Sequence, residues 1–531
     1  MSKKEKPSKN TNLERRDLIK GLATVPVAGV FLANLWRKMK RDAEKKANLL
    51  SDLIQEKSAP NVVKTLSNSR HLNIGVIGYG GRGGHLVRGA GFATKGWTDT
   101  AYKNSQKNKL DKQFATFMSQ EDLNCSLVGV CDLFDNRAEL GLNASLNDVR
   151  PGGKPKAGAT RYRHYTDLLA NDAIDAVIIA TPDHWHSRIS VAAAKAGKHV
   201  YCEKGMTRTF DEAVEMYDAV KENGITFQLG HQNRQVEANE KAKQIYQQGL
   251  LGPVNLVEIA TNRNSSWGAW VWDIHPDGNK NTIDWDTFQE PSPNKVPFGE
   301  EALKRFFRWR CWFDYGTGLS GDLMSHDFDA VNQIMDLGIP KYASSSGGIY
   351  FYKDGRDVPD VWHATLEYPD KDLTLLYSAS LSSSNPRGNR IMGHDATMQI
   401  GGQSGGGSIH GFIVTADEYS TQYKQRLENG IINPSYPIYT YSPGSKQVDG
   451  VTSATSRYFA QKGLLYTYRE GKRVDPTHLH VKDWLDSIRD GSQPRCNMDV
   501  AFHEAVACAM ATESYLKGRR IEWDPKKRRL V

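Results

Sequence analysis

The chain has 531 residues, longer than one hydrophobic core usually grows, and its 39% hydrophobic and 24% charged residues are those of a globular protein, so two domains are expected. Its net charge of +8 sits in residues 1–50, which hold 13 Lys and Arg against 5 Asp and Glu, while the other 56 basic and 56 acidic residues cancel. A nucleic-acid binder carries its basic excess on the folded domain, so that class is excluded.

The basic leader reads NLERRDLIKGLATVPVAGVFLANLWRKMK. Arg15-Arg16 precede an uncharged run from Gly21 to Trp36, the positive region and apolar core of an export signal. The run is shorter than a membrane span of about 20 residues. With Leu18, Ile19 and Lys20 the arginine pair resembles the twin-arginine (Tat) consensus, Glu14 standing where Ser or Thr is usual, and this implies export to the periplasm. No small-x-small cleavage site is clear and basic residues resume at Arg37, so residues 1–36 are expected to act as a signal or as an anchor on the periplasmic side of the inner membrane. Residues 37–70 read as a polar linker. The six cysteines show neither a Cys-x-x-Cys pair nor zinc spacing, and buried free thiols are expected.

From His71 the texture changes. HLNIGVIGYGGRGGHLVRGAG is a β-branched strand, a glycine turn and a helix start, and a polar insertion, roughly Phe92 to Asn124, separates it from a second strand, SLVGVCDLFD. Apolar strands then alternate with helical periods through GHQNR, which argues for a parallel sheet covered by helices over 71–230. Residues 231–475 change pattern: VNLVEIATN, GGIYFY, VWHATLEYP, LTLLYSASLS and ATMQIGG predict a largely antiparallel sheet in a second α/β domain. GGQSGGGSIH follows a strand but opens no helix, so it reads as a loop. Residues 476–531 are mainly helical and are expected to pack back toward the first domain.

The chemistry concentrates at predicted strand ends. Gly78-x-Gly80-x-x-Gly83, with Gly81 and Arg82 inside it, ends a strand and opens a helix, the context of a dinucleotide-binding turn whose helix N-terminus offers unpaired N–H groups to a pyrophosphate. Asp132 ends the next strand, where a carboxylate accepts hydrogen bonds from an adenosine ribose; its charge disfavours a 2′-phosphate, so NAD is expected over NADP. The polar insertion accounts for the long gap between Gly78 and Asp132. ATPDHWH and CEKG aim Thr181, Pro182, His184, His186, Glu203 and Lys204 at one crevice as further cofactor-binding candidates. His184-x-His186 lacks a third ligand, so no metal site is expected. In GTGLSGDLMSHDFD, four-residue spacing puts Asp322 and His326 on one helix face, where such a pair taken alone often gives only local stabilisation.

The fingerprint, Asp132, TPDHWH, GKHVYCEKG and GTGLSGDLMSHDFD, in this order, resemble the Gfo/Idh/MocA family of the glucose-fructose oxidoreductase and inositol dehydrogenase type, from about Asn73 to RRIEWDP. The resemblance implies an N-terminal Rossmann domain, a second α/β domain with a largely open antiparallel sheet that often forms a homo-oligomer interface, and a catalytic set of Lys204, Asp322 and His326. Gly205 departs from the family, which customarily has proline there. In that set His326 suits the general base, Lys204 the stabilisation of developing oxyanion charge, and Asp322 a substrate hydroxyl while keeping His326 basic. His231, Arg234, Trp312 and Tyr315 are further substrate-binding candidates. Residues 267–312 hold six of the twelve tryptophans, which suit either stacking on sugar rings or burial of loops and interfaces.

The implied function is oxidation of a secondary hydroxyl of a sugar or glycoside, C3 favoured, by hydride transfer to nicotinamide. Export would separate the enzyme from free cofactor, so a non-dissociating NAD is expected. The alternative, resembling exported NAD-dependent glycosidases of the same family, is redox-neutral glycoside cleavage by oxidation, elimination, hydration and reduction, with His231, His184 or Tyr315 as elimination base. From another class comes a non-catalytic exported sugar-binding protein.

Overall fold

The computed structural model describes residues 70–147 (except 110), 149, 158–401 (except 386), 411–420 (except 418), 439–441, 467–469 and 472–531. The leader, the linker up to residue 69 and the glycine-rich stretch after Gly401 lie outside these residues.

Six strands, β1 (Leu72–Ile77), β2 (Cys125–Cys131), β3 (Thr160–Tyr162), β4 (Ala176–Ile179), β5 (His199–Cys202) and β6 (Phe227–Leu229), form an all-parallel sheet in the order β3-β2-β1-β4-β5-β6. The order reverses between β1 and β4, and ligands of open parallel sheets bind beyond the carboxyl ends of strands at such a switch point. Those ends carry Gly78, Asp132, Thr181, Glu203 and Lys204. The insertion between β1 and β2 folds as two helices, Lys95–Lys107 and Gln113–Met118, and so lengthens the gap to Asp132 without disturbing the sheet.

The second sheet contains β7 (Val254–Asn262), β8 (Tyr342–Gly348), β9 (Val361–Tyr368), β10 (Leu373–Ser380), β11 (Asn389–Gly393), β12 (Ala396–Ile400), β13 (Phe412–Ala416) and β14 (Tyr439–Tyr441). A small ribbon of β15 (Thr467–Arg469) and β16 (Lys472–Val474) stands apart, and β17 (Ile521–Asp524) and β18 (Arg529–Leu530) extend the large sheet at its edge. Its order is β14-β13-β12-β11-β7-β10-β9-β8-β17-β18, antiparallel except for the parallel pair of β7 and β10.

One strand differs from its sequence expectation. GGIYFY was read as a strand, but β8 runs upstream through Tyr342–Gly348, and the chain turns away from the sheet after it. The buried Asp360 carboxylate accepts the N–H groups of Tyr350 (2.8 Å), Phe351 (2.8 Å) and Tyr352 (2.6 Å), holding a turn where alternating apolar residues predict extension. All six cysteines are buried and none forms a disulfide.

The helix Pro476–Asp490 returns to the Rossmann domain. His478 Nδ1 lies 2.8 Å from Gly89 O, His480 Nε2 lies 2.9 Å from Leu229 O, and a Cβ at Gly89 would fall 2.9 Å from Thr477 Cγ2. Val481, Trp484 and Leu485 share one core with Leu72, Ile74 and Val76 of β1 and Leu86 of the glycine-turn helix, Gly81–Gly89. Truncating the fully buried Trp484 to alanine leaves a cavity, so Trp484→Ala is expected to cost about 3–5 kcal/mol, checked by urea unfolding followed by circular dichroism.

Candidate functional site

The glycine turn is built as a dinucleotide cradle needs. Gly78 has φ +89°, a left-handed conformation that only glycine adopts freely, and its N–H donates to Cys131 O (2.8 Å). A Cβ at Gly83 would lie 2.0 Å from Gly78 O, so the turn and the helix touch backbone to backbone. Gly80 and Gly81 meet nothing closer than 3.9 Å, leaving the helix N-terminus open to a pyrophosphate. A cavity of about 670 Å³ begins there and runs along Asp132, Thr181, Pro182, Glu203 and Lys204. Thr181 Oγ1 is buried with no hydrogen-bond partner, a polar atom that a ligand in this cavity would satisfy. These residues fit a nicotinamide dinucleotide.

Two of the residues in this wall brace the cradle. Asp132 accepts the N–H of Tyr79 at 2.6 Å and that of Phe134 at 2.9 Å, and burial raises its pKa against the pull of Arg137 and these N–H groups. Arg82 Nε donates to Glu203 (2.8 Å), and Gln232 Nε2 donates to the same carboxylate oxygen (3.0 Å). Arg137, which the sequence reading missed, lines the cavity beside Gly80, its guanidinium 5.3–5.6 Å from the rings of Phe134, Phe306 and Phe307. The preference for NAD drawn from Asp132 alone left out this cation, which would attract a 2′-phosphate.

His184 and His186 do not reach the cavity. The turn Asp183–Trp185 curls them inward: His184 Nε2 is 2.8 Å from Phe288 O, and burial pushes its pKa down to about 3. His186 bridges Gly205 O (2.7 Å) and Thr181 O (2.8 Å). Burial disfavours its charge, but Cys202, Asp183 and the Gly205 carbonyl outweigh it and push the pKa up to about 10, as suits a ring that donates to two carbonyls. Both serve as staples of the turn.

The two domains meet where β5 ends. Lys204 Nζ lies 2.6 Å from Asp322 Oδ1 and 2.9 Å from Asp322 O. The backbones approach closely there, since a Cβ at Gly205 would lie 3.3 Å from Gly321 Cα and 3.4 Å from Gly321 O. Asp183 Oδ2 accepts both the N–H (3.2 Å) and the hydroxyl (3.1 Å) of Thr317, tying the two domains a second time. Ser320–Met324 is a wide π-helical turn that leads into the α-helix Ser325–Met335, so Asp322 and His326 sit on either side of a change in helical pitch rather than on one regular helix.

Asp322 is held by two cations, Lys204 and Arg310, whose Nε donates to Oδ1 at 2.7 Å. Burial raises the Asp322 pKa, but Arg310 and Lys204 prevail and hold it well below the carboxylate range. It therefore stands as a fixed anion rather than a free anchor for a hydroxyl. His326 is not kept basic: burial, followed by Lys204 and His231, holds its pKa well below the histidine range, and Asp322 only partly opposes them. Lys204 and Arg310 form part of the cavity wall, and Asp322 and His326, both half-buried, adjoin it on the same helical segment.

His231 and Arg234, read as substrate contacts, belong to a buried network beside His326. The His231 ring meets that of His326 edge-on, 5.5 Å between centres. His231 Nε2 lies 2.5 Å from Glu504 Oε2, and Arg234 donates to Asp329 at 2.7 Å. Burial opposes the His231 charge, but Glu504 and Asp329 raise its pKa. His231, Asp329 and Glu504 bring three ligand atoms within 4.8 Å of one another, but Arg234 and His231 already supply positive charge to these carboxylates. Trp312 and Tyr315 are buried outside the cavity wall, Trp312 under Arg305 at 5.1 Å. The tryptophan cluster divides: Trp270, Trp285 and Trp312 are core, while Trp267, Trp272 and Trp309 face the cavity. Arg310 was also missed, although a cation inside the aromatic run FFRWRCWFDYG was the available signal.

Residues 72–231 match a family model described as an oxidoreductase family with an NAD-binding Rossmann fold. Levoglucosan dehydrogenase of Pseudarthrobacter phenanthrenivorans is 29% identical over 194 residues, 35% of this chain and 41% of that protein. An oxidoreductase of Streptococcus pneumoniae, described as uncharacterized, is 38% identical over 221 residues, 41% of this chain and 50% of that protein. The chain thus matches half or less of the length of these two relatives. Among solved structures, levoglucosan dehydrogenase in complex with NADH superposes with a TM-score of 0.54 at 16% identity, covering 85% of this chain and 99% of that one. That likeness supports the two-domain fold.

The contact between Gly83 and Gly78 O leaves no room for a methyl group. Gly83→Ala is expected to weaken nicotinamide dinucleotide binding by roughly 10- to 100-fold, measured by calorimetric titration, with the circular dichroism spectrum unchanged.

Proposed function

Because its Rossmann domain belongs to the Gfo/Idh/MocA oxidoreductase family, we propose that this protein oxidises a secondary hydroxyl of a sugar or glycoside. The observation that carries this reading is the 2.6 Å contact between Lys204, at the floor of the dinucleotide cavity, and Asp322 of the second domain, in a helical segment that also carries His326. A bound nicotinamide supplies the hydride acceptor. The Lys204 ammonium donates a hydrogen bond to the alcohol oxygen and spreads its charge as the O–H bond breaks. His326 takes the hydroxyl proton on a ring nitrogen; its lowered pKa keeps it neutral, the state in which it accepts. Asp322 keeps its charge and fixes Lys204. C3 is the position that the family resemblance favours.

Redox-neutral glycoside cleavage has less support, since it needs a base for the elimination step. His231 is engaged by Glu504, His184 by Phe288 O, and Tyr315 is fully buried. The twin arginines Arg15-Arg16 add a proposal of place: export in the folded state with a retained dinucleotide.

The test takes the protein as purified, adds no cofactor, and follows reduced-nicotinamide absorbance and aglycone release together over a panel of sugars and glycosides. A stoichiometric rise without release supports oxidation with a retained cofactor, while sustained release without net absorbance change supports cleavage. His326→Ala is expected to lower hydride transfer by about 10²–10⁴ with dinucleotide binding intact, and undiminished turnover removes His326 from the base role. The sign of the pH dependence follows from His326. The protonated ring is inactive, so kcat/KM rises with pH through the lowered pKa and is level above it. Its acid limb is expected below the ordinary histidine value of about 6.5, and a limb at or above that value contradicts the assignment.

A further inference from the structure

The cavity wall opposite the glycine turn carries a charge that hydride transfer does not use. Arg310 donates Nε to Asp322, and its two terminal nitrogens have no partner among the described residues. Its guanidinium is held in place, 4.1 Å from the centre of the Trp309 ring and 5.2 Å from that of Trp272, and all three residues line the cavity. Arg310 and Lys204 both contact the single Asp322 carboxylate, so Arg310 shares its one anionic partner with a second cation. Of the other carboxylates nearby, Glu203 is paired with Arg82, and the buried Asp183, fixed by the N–H and hydroxyl of Thr317, is not hydrogen-bonded to the Arg310 guanidinium. The cofactor's phosphates are accounted for at the opposite end, by the glycine turn. A partly buried guanidinium with an open pair of donors is matched by a planar anion that accepts both.

We propose that the substrate is a sugar bearing a carboxylate, a hexuronate residue, whose carboxylate accepts hydrogen bonds from the terminal nitrogens of Arg310 while the flat faces of Trp309 and Trp272 border the ring. This inference rests on the sugar-oxidation reading and adds the substrate class. Arg310 thereby sets specificity, and its bond to Asp322 couples recognition of the acid to the group that fixes Lys204.

Matched pairs test it: the 4-nitrophenyl glucuronide against the glucoside, and the galacturonide against the galactoside, with hexuronate and hexose binding measured by calorimetry in the same preparation. The wild-type protein is expected to favour the acidic member by roughly 10- to 100-fold in kcat/KM and in affinity. Arg310→Gln brings that ratio near one, and Arg310→Lys leaves it intermediate. Had Arg310 only a structural role as partner of Asp322, both members would fall together and the ratio would persist; that result overturns the proposal, as does equal or reversed preference in the wild type. Oxidation of neutral sugars alone overturns it while sparing the oxidation reading. Hexuronate binding that depends on Arg310, without oxidation of any sugar, upholds the carboxylate site and overturns the oxidation reading instead.

Discussion

An ammonium group nearly sealed from water needs an anion at contact distance, and Lys204 finds its anion in the other domain. This requirement organises the molecule. The carboxyl end of β5 must lie against the π-helical turn of the second domain, and the chain allows the approach by placing Gly205 and Gly321 where the backbones meet. Asp183 and Thr317 fix the same seam from the neighbouring strand end. Around the seam several charges have a partner at contact distance, Arg82 with Glu203, His231 with Glu504 and Arg234 with Asp329, and donors left open stand out against them.

What was legible in the sequence was local. The roles of Gly78 and Gly83 follow from a turn whose geometry needs only adjacent residues, and the strand-and-helix alternation announced the parallel sheet because burial writes its period into the chain. What was not legible depended on partners far away in sequence. His184 and His186 follow a strand that does point at the crevice, yet carbonyls of Phe288, Thr181 and Gly205 draw both rings inward. Asp322 looked like a free acid because Arg310, twelve residues earlier, gave no sign of turning back onto it. The tryptophans were undecidable for the same reason: only the tertiary fold separates the buried Trp270 from the exposed Trp267.

The second domain contributes mainly as a wall and a charge source. Its large sheet buries one face against the helices Ser325–Met335 and Met498–Lys517, and a loop region of aromatic residues reaches from it over the cradle. Phe306 and Phe307 support Arg137 at the cradle end, while Trp272 and Trp309 hold Arg310 at the other. Aromatic faces can steady a cation without neutralising it, which keeps such a charge available to a ligand.

The return of the helix Pro476–Asp490 has a consequence for how the chain is made. Trp484 completes a core begun by Leu72, Ile74 and Val76, about four hundred residues earlier. During synthesis the first domain therefore emerges with one layer uncovered, its apolar surface waiting for a segment about four hundred residues downstream. The nucleotide cradle sits on the helix that this distant segment buttresses, so the cradle gains its full support only after that segment has been made. Such a protein completes its cofactor site only when segments far apart in the sequence have met, and a chain cut short of Trp484 would lack this layer of the core.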